Sequence, residues 1–173
     1  LGPCSFSAIR KSLMPKSYKV LSGMMKRESH KNLRKAHAYF QKRVLRRISE
    51  IKTFPDAEKA VKKISKEKKT ALLTNSTRAY TEKILKKLGI KKCFNLLIFG
   101  DSGFRDKAEG LKYIMRAFKA TPGKTVCIGD APSDIRAAKK AGCISVAVIR
   151  WFPLREIKKE KPDYIIRSME ELF

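Results

Sequence analysis

Histidine, paired cysteine and long apolar runs are all in short supply in this sequence. The two histidines, His30 and His37, lie seven residues apart among Lys and Arg. That is too few N and S donors for a zinc site, which draws on several such ligands at once. Four cysteines (Cys4, Cys93, Cys127 and Cys143) show no CxxC or Cys/His spacing, and two of them fall in or beside apolar segments. They read as buried, reduced thiols and not as a disulfide framework. No stretch approaches the ~20 consecutive apolar residues that a membrane-spanning helix requires. Leu1 to Arg10 also lacks a basic region followed by an apolar run, so the expected setting is the cytoplasm. Acidic residues are scarce as well, with 16 Asp and Glu against 41 Lys and Arg.

The resulting charge of +25 is concentrated early: residues 1–54 hold fourteen Lys or Arg and two acidic residues. A surface of that sign attracts phosphate-bearing partners at long range. A solvated lysine-rich face accounts for it without a dedicated partner, because no nucleic-acid motif and no aromatics interleaved for base stacking are present. Binding of nucleic acid or another polyanion is the alternative. With 173 residues, the length fits one α/β domain plus a small accessory element.

From Lys31 to Lys52, Leu33, Ala36, Phe40, Val44, Ile48 and Ile51 recur every three to four residues, and Lys and Arg fill the other face. This spacing predicts a long amphipathic helix. Residues 1–30 are broken by Pro3, Pro15 and Gly23 and are expected to form one or two shorter helices. Residues 1–53 together read as a small helical element.

After Phe54-Pro55-Asp56 the pattern changes. Ala57, Ala60, Val61 and Ile64 describe a short helix opened by proline. Apolar runs then alternate with helical stretches: 70–73 and helix 77–88, 96–100 and helix 107–119, 125–129 and helix 133–141, then 144–149, and 163–166 before a short terminal helix. This alternation predicts right-handed βαβ units and a Rossmann-like parallel sheet covered by helices on both faces. Such sheets bind ligands beyond the carboxyl ends of their strands.

Three strand ends carry suitable chemistry. Thr74-Asn75 offers a hydroxyl, an amide and backbone N–H groups at a helix start, a cradle for a phosphate oxygen; Thr74 as a simple helix cap is the competing reading. Gly129-Asp130 followed by Asp134 places two carboxylates at one sheet edge, hard oxygen ligands that suit Mg²⁺. Asp134 alone is also explicable as a first-turn acid favoured by the helix dipole. The loop Gly103-Phe104-Arg105-Asp106-Lys107 supplies a cation that can bridge a carboxylate and a phosphoryl group.

An apolar strand ending in Thr-Asn, a Lys at a helix start, and Gly129-Asp130-x-x-x-Asp134-Ile-x-Ala-Ala-x-x-Ala-Gly142 resemble, in order and spacing, the second, third and fourth motifs of the haloacid dehalogenase superfamily. The tail from Pro162 to Leu172 is similar to that of its phosphoglycolate phosphatase-like members. The resemblance covers about residues 54–173, leaving residues 1–53 as the helical cap. It implies Mg²⁺-dependent hydrolysis of a small phosphate monoester through an aspartyl-phosphate intermediate. Thr74 would hold a phosphoryl oxygen with Asn75 assisting. Lys107, or else Arg105, would neutralise charge. Asp130 would bind Mg²⁺, and Asp134 would bind it directly or through water and orient Lys107.

One departure stands out. The first motif of the family is a strand ending in Asp-x-Asp-x-Thr, whose two acids act as nucleophile and general acid/base. Residues 1–69 contain a single Asp, Asp56, in the approach to the second-motif helix. Since the sequence opens on Leu and not Met, the expectation is that the first strand lies upstream of Leu1. A non-catalytic relative that binds polyanions is the alternative. A second departure follows the fifth strand, where a glycine-containing turn is replaced by Ile149-Arg150-Trp151-Phe152-Pro153. The aromatic pair either packs under the loop or shapes the substrate mouth.

Overall fold

In a computed structural model, residues 53–173 are described continuously, preceded by residues 32, 35, 36, 39, 42, 43, 46 and 48–51. The expected short helices within residues 1–30 lie outside the described residues, as does most of the expected cap. Within the expected long helix, Asn32, Lys35, Ala36, Tyr39, Lys42, Arg43 and Arg46 are helical, and Ile48–Glu50 closes as a 3-10 turn. Lys87 Nζ donates to the carbonyls of Ile48 (3.2 Å) and Ile51 (2.8 Å), tying that segment to the following domain.

Five short strands and five helices then alternate: α1 (Pro55–Ile64), β1 (Ala71–Leu73), α2 (Arg78–Lys87), β2 (Leu96–Ile98), α3 (Lys107–Phe118), β3 (Val126–Gly129), α4 (Pro132–Ala141), β4 (Ile144–Val148), α5 (Leu154–Lys159) and β5 (Tyr164–Ile166). Local chemistry sets their ends. Pro55 and Pro132 open α1 and α4 at the first turn, where a missing N–H costs nothing. Asp106 caps α3 by accepting from Glu109 N at 2.9 Å. Thr77 makes no side-chain cap for α2; Asp101, from the loop after β2, accepts from Arg78 N at 3.2 and 3.3 Å instead. Helix α5 was not legible in the sequence, and the expected terminal helix is a 3-10 turn, Met169–Leu172.

All strand pairings are parallel, as expected, but they fall into two groups: β1 with β2, and β3 with β4 and β5. Between β1 and β3 runs a slot of about 540 Å³, walled by Ala71–Leu73 and Val126–Gly129 and floored by Leu111, Ile114, Phe118 and Ala137. Strand β4, paired on both sides, is buried over its last four residues, whereas β1 is only half-buried and Val126 of β3 is 52% exposed. Interior parallel strands are ordinarily covered throughout. What holds the two groups together is α3 against α4. Their apolar faces share one cluster, including Leu111, Ile114, Met115, Ala137 and Ala138, which reaches β2 through Ile98 and takes in Cys143 beside β4. Cys143 is buried, Cys93 and Cys127 are half-buried, and all three are free thiols. Burial pushes the Cys127 thiol up to about 12, helped by the nearby Asp134 carboxylate. No helix among the described residues is long and apolar enough to cross a membrane.

Asp56, in the first turn of α1, accepts from Met169 N (2.9 Å), Ser168 Oγ (3.2 Å) and the Arg150 guanidinium. The Met169 N–H holds its carboxyl below the usual range, with Arg150 and Ser168 adding to the effect against burial. A depressed pKa contributes stability above the ordinary carboxylate value and loses it as pH falls through the folded value. The stability deficit of Asp56→Asn is therefore largest near neutrality and closes as pH falls below about 4, measured by urea denaturation across pH. On the other face, Ile157 is fully buried against Ile135 and Ala147. Ile157→Ala is expected to cost about 2–5 kcal/mol in the same assay.

Candidate active site

The carboxyl ends of β1 and β3 face each other across the slot, and the helices that follow or underlie them bring side chains to its mouth. Thr74 extends the β1 ladder by one residue, donating its N–H to Ile98 O at 3.0 Å. Its Oγ1 then accepts from Ser76 N at 3.1 Å, turning the chain toward α2. As an acceptor in that turn, the hydroxyl keeps its own hydrogen to donate. The loop is braced from β2: Gly100 N donates to Ser76 O at 2.8 Å, and a Cβ on Gly100 would collide with the Asn75 carbonyl. Only glycine allows this approach.

From β3 the chain passes through Gly129 to Asp130, then into α4. A side chain at Gly129 would run into the Asp134 carboxylate, so the glycine lets Asp134 fold back beneath the strand end. There Asp134 Oδ2 accepts from Ala131 N at 3.2 Å, and Oδ1 accepts from Lys107 Nζ at 2.6 Å. The Lys107 and Asp134 side chains are 21% and 10% exposed. That degree of burial makes this pair more than a surface contact, since removing either partner strands the other charge.

Thr74, Lys107, Asp130 and Asp134 all line the slot, and Asn75 does not. Arg105 stands apart: 89% exposed at its side chain, it donates through its backbone N–H (2.8 Å) and its Nε (3.4 Å) to Glu109. Of the two candidate cations, Lys107 is the one against the acidic pair. Burial raises the Asp130 pKa and the charge of Asp134 raises it further, with Lys107 and Arg150 opposing. Two carboxylates so placed are an arrangement that a bound cation relieves. No group of three or more His, Cys, Asp or Glu with metal-binding geometry occurs among the described residues. The donors fit Mg²⁺, which takes one or two carboxylates and fills its octahedron with water and phosphate oxygens, and they lack the nitrogen and sulfur ligands that zinc prefers.

The haloacid dehalogenase-like hydrolase profile matches residues 2–148. The chain belongs to the haloacid dehalogenase-like hydrolase family. Among relatives in that family, a putative pyrophosphatase PpaX from Caldanaerobacter subterraneus is 34% identical over 108 residues, 60% of this chain and 49% of that protein. A phosphoglycolate phosphatase from Neisseria meningitidis is 32% identical over 109 residues, 60% of this chain and 46% of that protein. The chain spans about half the length of these curated relatives. In fold it is similar to a haloacid dehalogenase-like family protein from Streptococcus pneumoniae, with TM-score 0.82 at 18% identity over 99% of this chain and 81% of that one. It is equally similar to a predicted phosphoglycolate phosphatase from Haemophilus somnus, with TM-score 0.82 at 19% identity over 98% and 82%.

Two contributors escaped the sequence reading. Gly100 gave no periodic or motif signal, since its role is a close approach to another loop. Arg150 was one basic residue among 41, and only its position in space brings its charge to bear on Asp130.

Because the folded protein raises the Asp130 pKa, ionised Asp130 costs stability above the folded pKa and costs none below the ordinary value near 4. Asp130→Asn is expected to raise the thermal midpoint at pH 7 in metal-free buffer, with the gain shrinking toward pH 4 in a calorimetric series.

Proposed function

We propose that this chain is the greater part of a Mg²⁺-dependent phosphatase acting on a small phosphate monoester, with the nucleophilic aspartate on a strand that fills the slot between β1 and β3. The slot carries this reading. Both strands bordering it are parallel, apolar and incompletely covered, which suits one further parallel strand hydrogen-bonded to both. A strand entering there would deliver its carboxyl end to the point where Thr74, Lys107, Asp130 and Asp134 meet. Family membership and the phosphatases among its relatives agree with the assignment, and residues 1–53 would then be the cap that follows the first strand.

In this reading Thr74 donates its hydroxyl hydrogen to a non-bridging phosphoryl oxygen, and backbone N–H groups at the start of α2 take up negative charge. Lys107, fixed by Asp134, sits between the incoming carboxylate and the phosphoryl group and neutralises both. Asp130, with Asp134 directly or through water, would hold Mg²⁺, which supplies charge neutralisation for phosphoryl transfer when bound. Asn75 supports the Thr74 loop from outside the slot.

The test is expression from the complete reading frame, followed by assay of 4-nitrophenyl phosphate with and without Mg²⁺. Hydrolysis is expected to require Mg²⁺, to disappear in Asp130→Ala, and to fall about 10²–10³-fold in Lys107→Ala, the scale for removing one electrostatic contact to the transition state. An upstream sequence without Asp-x-Asp, together with absent hydrolysis, overturns the reading and moves the function to polyanion binding.

A further inference from the structure

The loop after β4 holds an arrangement that neither the fold nor the hydrolytic site requires. Arg150 is nearly enclosed, its side chain 13% exposed. Its guanidinium donates to Asp56 and to the carbonyl of Arg167 at 2.8 Å, and lies 4.5 Å from the ring centre of Phe54. Phe54 in turn meets Trp151 edge to face, with centroids 5.9 Å apart and planes at 71°. Behind this pair stands a fixed network of charge and hydrogen bonds, yet both rings face outward: Phe54 is 40% exposed and Trp151 57%.

The neighbouring residue behaves differently. Phe152 packs inward on the Ile135, Ala147 and Ile157 cluster. Of the two readings of the aromatic pair, packing therefore describes Phe152 and exposure describes Trp151. Burying an indole is worth more than burying most side chains, so an indole held rigidly in the open invites a ligand.

Its position is on the reactive edge. β3 and β4 pair with Gly129 opposite Ala147, which puts Asp130 level with Val148 and Arg150 two residues beyond. With strands ~4.8 Å apart and ~3.3 Å of rise per residue, Arg150 lies on the order of 8 Å from Asp130 along the same sheet edge. The positive charge of Arg150 is felt at Asp130. A phosphate held at Asp130 would therefore place the group on its ester oxygen toward the Phe54–Trp151 ledge. A macromolecular partner fits less well, because two rings bordered by Arg150 and the exposed Arg155 fall far short of the ~800 Å² per side that a stable interface buries.

We propose that Trp151, backed by Phe54 and fixed by Arg150, is a stacking subsite for the organic part of the substrate, selecting phosphate esters whose alcohol carries a planar aromatic or heterocyclic group. The proposal rests on the phosphatase reading. The ledge is preorganised by Arg150 and Asp56, so stacking pays little ordering entropy, and stacking on an exposed aromatic tolerates many ring types.

The experiment uses the protein from its complete reading frame, comparing phenyl phosphate with glycerol phosphate. Trp151→Ala is expected to lower kcat/KM for the aromatic ester about tenfold, mainly through KM. The aliphatic ester should change less than twofold, and Trp151→Phe should recover most of the loss. The component of tryptophan fluorescence lost in Trp151→Phe should be quenched by phenyl phosphate and not by inorganic phosphate. Equal losses on both esters, or a Trp151 signal that is shielded and indifferent to phenyl phosphate, overturn the subsite. If the wild type hydrolyses neither ester yet phenyl phosphate quenches Trp151, the phosphatase reading fails and the subsite stands.

Discussion

The packing of α3 on α4 is the contact on which the rest of this molecule depends. A parallel sheet normally coheres through an unbroken ladder of backbone hydrogen bonds, with helices as its cover. Here the ladder is interrupted between β1 and β3, and the cover carries the continuity instead. The shared cluster of Leu111, Ile114, Met115, Ala137 and Ala138 keeps the two strand groups in line although they do not touch. The same pair of helices begins with the residues that matter chemically, Lys107 at the start of α3 and Asp134 in the first turn of α4. The ion pair between them is set by the core beneath.

Much of this could be read from the sequence, for identifiable reasons. Buried strands leave apolar runs of four to six residues, and helix ends leave proline, glycine and acidic residues, so all five strands and helices α1 to α4 fell close to their expected places. Helix α5 did not, because it is short, follows Pro153 and contributes one fully buried side chain, Ile157; six residues with a single apolar anchor have no period to detect. The interruption in the sheet was equally hidden. The absence of an Asp-x-Asp motif could be noted, but which strand edges it leaves bare depends on the order of strands across the sheet. At the site, residue types and spacing picked out Thr74, Lys107, Asp130 and Asp134, which converge on the slot. The choice between Lys107 and Arg105 turned on which side chain points inward, and Asn75 was grouped with Thr74 through adjacency in sequence alone.

Electrostatics in this chain works on two scales. The excess of 25 positive charges sits mostly on solvated helix faces, where individual pairs such as Lys62–Glu58 and Arg105–Glu109 contribute little beyond screening one another. At the slot mouth the balance reverses. Two acids share one close lysine, and the deficit falls on Asp130 as a raised pKa. A basic protein has thus kept a local acidic pocket at the end of β3, which a cation would complete, while its outer surface favours the approach of anions.

Asp56 joins residues that are more than a hundred positions apart, accepting from Ser168 and Met169 near the end of the chain while it anchors the first turn of α1. The two ends of the α/β core are therefore neighbours, and the chain closes almost into a ring. During synthesis α1 emerges early but cannot reach its partners until the last few residues have left the ribosome. Its docking is set by loop closure over the whole core. The first helix to appear is among the last to be secured, and until then the Phe54 junction that leads into it swings free of the sheet edge it will help to build.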